Sequence, residues 1–262
     1  MDARQAILDE IRLIERSKDV QVLYAVESGS RAWGFSSPDS DFDVRFVYVR
    51  PISEYLRLED VRDVIEYVID GKNFAAGVDF DAVGWDLGKF LRLLRNSNPS
   101  AIEWLSSNDP YIEDSRFWEV KKLLEKCFSP RSVALHYYGM AKKHDLRYLK
   151  ADLVVAKKYL YVVRAILAAE WALKRLRPAP LAFSELVDGM LPAKLRPEVE
   201  KLLEIKLGSD ERRLVGHSRE LDEWILSHLE AIPEEASLLR RKSQPDWAIL
   251  DSVYRKLLGL TP

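Results

Sequence analysis

The sequence predicts an α+β fold in which a small mixed β-sheet with helices is followed by an α-helical half. Two observations lead to this prediction. Four apolar runs rich in β-branched and aromatic residues lie within the first 83 residues. From residue 86 onward, nearly every segment has the apolar period of an amphipathic helix, and prolines separate the segments.

The first part of the chain alternates between helical and strand patterns. Apolar residues at helical spacing predict a helix over 3–16. Short β-rich runs predict strands over 20–26, 41–49, 64–69 and 78–83. Helical periodicity at 86–105 is interrupted by Asn98-Pro99-Ser100, which predicts that one helix ends there and another begins.

The rest of the chain is predicted to be helical throughout. The predicted helices cover 114–127, 131–149, 151–177, 182–190, 196–207, 218–231 and 246–258. We place a domain boundary beside the segment 128–132, which gives a first domain of 1–127 and a helical domain of 128–262. Because no flexible linker separates them, the two domains are expected to pack tightly.

Composition limits the classes of protein that remain. The 262 residues are 47% hydrophobic, which is enough for a packed core, but no apolar run approaches the roughly 18 residues of a membrane span. The N-terminal segment has neither a signal-peptide nor a transit-peptide pattern, so we expect a cytoplasmic protein without a membrane partner. Cys127 is the single cysteine and there are four histidines, so a bound metal is expected on oxygen ligands.

Charge is distributed unevenly along the chain, although the net charge is only -2. Residues 1–100 contain 13 Lys and Arg against 18 Asp and Glu, and the remainder contains 27 against 24. The acidic part is suited to cations and the basic part to phosphates. Ordinary surface variation is the alternative explanation of a difference of this size.

Three alternating aspartates occur at the start of the second predicted strand. A calcium loop beginning at Asp39 is excluded, because Val44 takes the position that needs glycine and Arg50 the position that needs glutamate. On a strand, Asp41 and Asp43 point to the same face. Their carboxylates repel, and a divalent cation is the natural compensation.

A Gly-Ser pair precedes these aspartates by about a dozen residues. Gly29 permits a sharp turn and a close approach to a ligand, and Ser30 supplies a hydroxyl and an amide. Arg31 adds a positive charge, and Gly34 ends the turn. This combination is typical of a phosphate site facing a cation site.

At this point the sequence resembles a known family. Gly29-Ser30 followed by Asp41-Phe42-Asp43 resembles the signature of the polymerase-β nucleotidyltransferase superfamily. Three longer blocks, GSRAWGFSSPDSDFDVRFVYVRP, GWDLGKFLRLLRNSNPSAIEWL and AKKYLYVVRAILAAEW, are similar to nucleotidyltransferases of the YcgL/RlaP type, the latter associated with RNA repair. The resemblance extends from about residue 20 to beyond residue 185.

The resemblance implies transfer of a nucleoside monophosphate from a nucleoside triphosphate to an acceptor hydroxyl, with release of pyrophosphate. It assigns Gly29 and Ser30 to the triphosphate. It assigns Asp41 and Asp43 to two Mg²⁺ ions, for which Mn²⁺ is expected to substitute.

The resemblance also implies a third carboxylate on a later strand. Asp81 matches it best, and its role would be to complete the metal site and to help deprotonate the attacking hydroxyl. Asp79 lies on the same predicted strand face, and Asp86 opens the next helix. Helix capping is the simpler explanation of Asp86.

Basic residues at the start of one long predicted helix are candidates for the triphosphate. Lys157, Tyr161 and Arg164 have the spacing of one helix face, and Lys158 is a near equal of Lys157. Arg31, Lys157, Lys158 and Arg164 complete the predicted nucleotide-binding set. A solvated basic face is the alternative explanation.

The sequence contains least information about the acceptor of the nucleotide. We expect an RNA 3′ end. The residues expected near the RNA backbone are Lys142, Lys143, Arg147 and Lys150, with Lys174, Arg175 and Arg177 at the end of the long helix. Transfer to a small molecule or to a protein side chain, or a noncatalytic nucleotide-binding module, are the alternatives. The sequence identifies neither the nucleotide nor the oligomeric state.

Overall fold

A computed structural model describes residues 2–208 and 213–260. The α+β prediction is confirmed. The strands are β1 Gln21–Glu27, β2 Phe42–Val49, β3 Val64–Ile69, β4 Phe80–Asp86, β5 Ile112–Glu113, β6 Leu153–Val155 and β7 Leu214–Gly216. The α-helices are α1 Ala3–Lys18, α2 Gly29–Ala32, α3 Ile52–Tyr55, α4 Leu87–Arg95, α5 Pro99–Leu105, α6 Trp118–Cys127, α7 Pro130–Tyr148, α8 Ala156–Arg175, α9 Phe183–Met190, α10 Arg196–Gly208, α11 Arg219–Leu238 and α12 Trp247–Leu257.

One mixed sheet organises the first half of the chain. Its strands follow the order β3-β4-β2-β1-β5. β2 and β4 are parallel, whereas β1 pairs antiparallel with β2 and β5, and β3 pairs antiparallel with β4. The beginnings of β2 and β4 and the end of β1 therefore meet at the same edge of the sheet.

Both faces of this sheet are covered. Ile7 and Ile11 of α1 belong to the same apolar core as Val44 and Phe46 of β2. Val47 belongs to the core on the opposite face, together with residues of α4, α5 and α8. The apolar residues of β2 are divided between the two faces, because side chains alternate along a strand.

The helical half contains a short strand pair that was not predicted. The predicted helix over 151–177 was wrong at its beginning, where β6 pairs antiparallel with β7 and only then does α8 begin. Pairing with a segment distant in sequence, helped by a hydrogen bond of 3.1 Å from the Ala156 amide to the Arg213 carbonyl, overrides the local helical pattern. The predicted end of the next long helix at 231 was also wrong, since α11 continues through Pro233 to Leu238.

The two predicted domains share one apolar core. It contains Val47 of the sheet, Ile166 of α8 and Leu257 of α12. α6 ends at Cys127, next to the predicted boundary, but the division into domains stays a prediction. Tight packing of the two halves is what such a core requires.

α12, the last helix, packs against the first half of the chain. The Arg95 guanidinium donates to the Pro245 carbonyl at 3.0 Å, just before α12 begins. The rings of Tyr55 and Tyr254 meet edge to face, with their centroids 6.1 Å apart. Among the helices of residues 2–208 and 213–260, none combines the length and the apolar character that crossing a bilayer requires.

Candidate active site

The Gly-Ser turn lies directly against Asp43. Gly29 has a φ of 62°, in the left-handed region, and begins the short helix α2. A Cβ added to Gly29 would fall 2.2 Å from Oδ2 of Asp43, so only glycine allows this approach. The amide of Ser28 donates to the Asp43 carbonyl at 2.9 Å, and Ser30 is buried beside it.

Asp43 and Asp81 lie opposite each other on the parallel strands β2 and β4. The guanidinium of Arg45 bridges them, because its Nη2 lies 2.9 Å from Oδ1 of Asp43 and 3.1 Å from Oδ2 of Asp81. Its Nη1 donates to the carbonyls of Val44 and Asp81 at 3.0 and 2.9 Å. Arg45 was not predicted to be part of the site.

Asp41 lies just before β2, and its side chain is exposed. Its carbonyl accepts a hydrogen bond of 3.0 Å from Nε of Arg31. Among the residues that the structure describes, no group of three or more His, Cys, Asp or Glu side chains is arranged to hold a metal ion. The three predicted carboxylates are therefore near one edge of the sheet without forming a closed metal site.

The two alternative carboxylates have local structural roles. Oδ1 of Asp79 accepts from the Gly71 amide at 2.7 Å in the turn before β4. Asp86 caps α4 by accepting from the Gly88 amide at 2.8 Å, which confirms the capping interpretation, and it also accepts from the Tyr55 hydroxyl at 2.6 Å. Burial raises the pKa of Asp86. Asp81 is the carboxylate that stands opposite Asp43.

Arg31 points away from this pair. Its guanidinium donates to the carbonyls of Ser40 and Asp41 and lies over the ring of Phe42, 3.9 Å from the centroid. Phe42 packs on the sheet face opposite to Val47. In this structure Arg31 holds the segment between α2 and β2, and its contact with a nucleotide stays a prediction.

Glu27 was not predicted to be part of the site, but its side chain fixes the beginning of β2. Its Oε1 accepts from the Asp43 amide at 2.8 Å, and its Oε2 accepts from the Tyr111 hydroxyl at 2.6 Å. Burial raises the pKa of the Glu27 carboxyl. Glu27, Arg31 and Tyr111 also line a cleft of about 730 Å³ whose lining includes neither Asp43 nor Asp81.

A buried lysine of α10 fixes the segment that leads to Asp41. Nζ of Lys206 donates to the hydroxyls of Ser37 and Ser40 at 2.7 and 3.0 Å. Lys206 is only 2% exposed. A buried ammonium needs such acceptors, so Lys206 ties the helical half to the site.

The first turns of α8 approach the site through Trp33, which follows α2. The rings of Trp33 and Tyr161 meet edge to face with centroids 5.4 Å apart. Nζ of Lys158 lies 4.4 Å from the ring centroid of Tyr148 and 5.5 Å from that of Tyr161. Lys157 is part-buried in the same turn of α8.

Arg164 lies deeper than the predicted nucleotide-binding role requires. It is 2% exposed, and its Nη1 donates to Oε1 of Glu103 at 2.9 Å. The Tyr137 hydroxyl donates to the same oxygen at 2.6 Å. The guanidinium carbon lies 4.0 Å from the ring centroid of Trp33, and the pairing with Glu103 explains its burial. Direct binding to a nucleotide stays a prediction, and this position favours an indirect role through Trp33.

Comparisons with known proteins identify the family of this chain. The sequence profile of RlaP, described as the RNA repair pathway DNA polymerase beta family, matches residues 3–256. The chain belongs to this family. It is therefore a protein of the DNA polymerase beta type, and the family resemblance found in the sequence is confirmed.

Individual relatives match different shares of this chain. The chain is 40% identical over 243 residues to the uncharacterized protein YcgL of Bacillus subtilis, covering 92% of this chain and 91% of that protein. It is 30% identical over 144 residues to the uncharacterized protein MJ0002 of Methanocaldococcus jannaschii, covering 55% and 56%. A crystal structure of a nucleotidyltransferase-like protein from Exiguobacterium sibiricum has 16% identity and a TM-score of 0.31, covering 89% of this chain and 74% of that chain.

Proposed function

We propose that this protein transfers a nucleoside monophosphate from a nucleoside triphosphate to the 3′ hydroxyl of an RNA, with Mg²⁺ as cofactor. The observation that carries the proposal is the position of Asp43. It stands opposite Asp81 on a parallel strand, and the main chain of Gly29 lies against its carboxylate. One edge of the sheet thereby combines a carboxylate pair with the turn that the family resemblance assigns to the triphosphate.

Mg²⁺ fits the chemistry of these side chains. It prefers oxygen ligands, and Asp43 and Asp81 present carboxylate oxygens on one face, with Asp41 two residues before Asp43. A bound ion would neutralise charge on the triphosphate and favour ionisation of the attacking hydroxyl. Mn²⁺ is expected to substitute, because it accepts the same oxygen ligands.

In the proposed reaction, the acceptor oxygen forms a bond with the α-phosphorus of the nucleotide. The bond from that phosphorus to the bridging oxygen of the β-phosphate breaks, and pyrophosphate leaves with the electron pair. The proton of the acceptor hydroxyl passes to a carboxylate oxygen of Asp81. Gly29 and Ser30 hold the triphosphate in position, which lowers the entropic cost of the reaction.

The proposed triphosphate partners in the helical half are Lys157 and Lys158. Both belong to the first turn of α8, which reaches the Gly-Ser turn through the contact of Tyr161 with Trp33. A lysine offers three donors and a full positive charge to phosphate oxygens.

An RNA acceptor is supported by a basic and aromatic surface on α7. The ring of Tyr138 lies 5.5 Å from Nζ of Lys142, and the ring of Tyr148 lies near Arg147 and Lys158. Single-stranded nucleic acid binds to such combinations, because cations follow the backbone while aromatic rings stack on bases. A small-molecule acceptor has no need of this surface.

The test is incubation with each labelled nucleoside triphosphate, Mg²⁺ or Mn²⁺, and a mixed RNA pool. Label is expected in RNA with wild-type protein and lost, by a hundredfold or more, with Asp43→Asn and Asp81→Asn, on the order expected when a catalytic group is removed. Asp79→Asn is the matched control. It removes a neighbouring charge and keeps an oxygen for the Gly71 amide, so its transfer rate is expected to stay near that of wild type.

Each other outcome identifies an alternative. Label in protein or in a small molecule would replace RNA as the acceptor. Nucleotide binding without transfer would indicate a noncatalytic module. Loss of transfer in Asp79→Asn but not in Asp81→Asn would assign the third carboxylate to Asp79.

A further inference from the structure

Arg45 occupies the space between the two carboxylates to which the proposed function assigns a metal ion. Nη2 contacts both, at 2.9 Å from Asp43 and 3.1 Å from Asp81. We propose that Arg45 is an internal counter-ion, exchanged for the divalent cation when metal binds. The inference rests on the proposed function only in that it takes Asp43 and Asp81 as metal ligands.

The charges explain why a cation is needed here in the absence of metal. Two carboxylates on neighbouring strands repel each other, and their side chains are only 30% and 38% exposed, so water screens them incompletely. Arg45 is 19% exposed and supplies one positive charge through charge-assisted hydrogen bonds. A divalent cation supplies two, and therefore compensates the pair more completely.

The four hydrogen bonds of Arg45 fall into two groups. Those of Nη2 go to the carboxylates, and a metal that binds both has to replace them. Those of Nη1 go to the main-chain carbonyls of Val44 and Asp81. The predicted metal ligand is the side-chain carboxylate of Asp81, so the main-chain carbonyls are not involved. Exchange therefore requires the loss of the Nη2 contacts alone, and the strand pairing of β2 with β4 does not have to open.

Two effects follow from this arrangement. Arg45 stabilises the metal-free protein, because it removes the repulsion between Asp43 and Asp81. It also weakens the binding of free metal ions, because its contacts with the carboxylates are lost on binding. A side chain with only a structural role would produce the first effect without the second.

The experiment compares Mn²⁺ binding to the 262-residue wild type and to Arg45→Gln, by electron paramagnetic resonance and by calorimetry without nucleotide. Arg45→Gln is expected to bind Mn²⁺ about tenfold more tightly, equivalent to about 1.4 kcal/mol. Arg62→Gln is the control. It makes the same change in net charge but removes an exposed pair with Glu66, so its Mn²⁺ affinity is expected to match that of wild type.

Thermal unfolding supplies the second readout. In EDTA, Arg45→Gln is expected to melt below wild type, and saturating Mn²⁺ should close this gap. Arg45→Lys, which keeps the charge and loses the planar fork, should show an intermediate Mn²⁺ affinity. This variant keeps the test decisive if Arg45→Gln does not fold.

The inference is overturned if removal of the guanidinium leaves Mn²⁺ affinity unchanged or lowers it while wild type binds Mn²⁺ and transfers nucleotide. In that case the proposed function stands and Arg45 is structural. If neither wild type nor Arg45→Gln binds Mn²⁺ at millimolar concentration, the metal-dependent function fails together with the inference.

Discussion

The main chain of Gly29 and the carboxylate of Asp43 are in contact, with space for no additional carbon atom between them. The turn assigned to the triphosphate and the carboxylate assigned to metal therefore form one unit. A displacement of one moves the other, so a substitution at Gly29 is expected to disturb both.

Gly29→Ala is predicted to abolish transfer. The variant has two defects, the strain of alanine at a φ of 62° and the clash with Asp43. Gly34→Ala separates them, because Gly34 has a φ of 81° and a Cβ there would meet nothing within 4 Å. Both variants should lose about 1–2 kcal/mol of stability from the left-handed backbone, but only Gly29→Ala should lose Mn²⁺ binding and transfer. Equal loss of Mn²⁺ binding and transfer in both would contradict the importance of the contact.

Arg164→Met is predicted to act on stability rather than on nucleotide contacts. It leaves the Glu103 carboxylate buried without its cation, which typically costs about 3–5 kcal/mol. Arg62→Met, which removes an exposed pair, should change the unfolding free energy by about 0.5 kcal/mol or less. Urea unfolding measures both. Adding Glu103→Gln to Arg164→Met should restore part of the lost stability. If Arg164→Met instead weakened nucleotide binding at unchanged stability, direct contact of Arg164 with the nucleotide would be supported.

Two histidines are predicted to give opposite dependences of stability on pH. A hydrogen bond to the Ala151 carbonyl raises the pKa of His217 above its ordinary 6.5, with a further contribution from Asp222. The protonated form is favoured in the folded state, so this stability is complete below pH 6.5 and is lost as the pH rises through the folded pKa. Burial, and then the positive charge of Lys158, lower the pKa of His144. Folding therefore opposes its protonation, and His144 reduces stability as the pH falls below 6.5.

Urea unfolding between pH 5.5 and 8 tests these signs. The stability advantage of wild type over His217→Gln should shrink as the pH rises. Wild type should lose stability relative to His144→Gln as the pH falls. Parallel profiles of the three proteins would contradict both assignments.

The Michaelis constant for RNA is predicted to rise steeply with salt. Lys142, Lys143 and Arg147 lie on one exposed part of α7, whereas Lys150 pairs with Asp145 at 2.8 Å and is expected to contribute less. Three phosphate contacts to a single strand imply roughly a tenfold or larger increase between 50 and 200 mM salt. A double variant, Lys142→Ala with Lys143→Ala, should flatten this dependence. Changing Lys122 and Lys126 of α6 to alanine makes the same change in net charge and should leave the salt dependence unchanged.

Local sequence patterns were sufficient for the elements that build the site. The strand predicted over 64–69 has the bounds of β3, and local patterns single out Gly29 and Asp43, whereas Asp81 follows from the family resemblance. Their proximity follows from a turn and from two strands whose patterns are local. Arg45 was not identified as part of the site, because its role depends on the partner strand that presents Asp81.

Long-range partners explain the remaining differences. Arg164 has the spacing of a basic helix face, but Glu103 of α5 lies within reach and draws it into the core. Residues 153–155 fall in a segment whose apolar spacing predicted a helix, but pairing with β7 makes them a strand. Lys206 looks like a surface lysine in sequence, whereas Ser37 and Ser40 bind it in the interior. None of these partners is close enough in sequence to alter a periodic pattern.

The return of α12 to α4 and α6 has a consequence for synthesis of the protein on the ribosome. The Arg95 contact with Pro245 spans 150 residues, which takes roughly 10–30 s to translate. During that interval the apolar surface around Phe90 and Leu123 that shares a core with Leu257 lacks this cover. That part of the core is therefore completed only after nearly the whole chain has been synthesised, so the apolar surface stays more exposed on the nascent chain until α12 arrives.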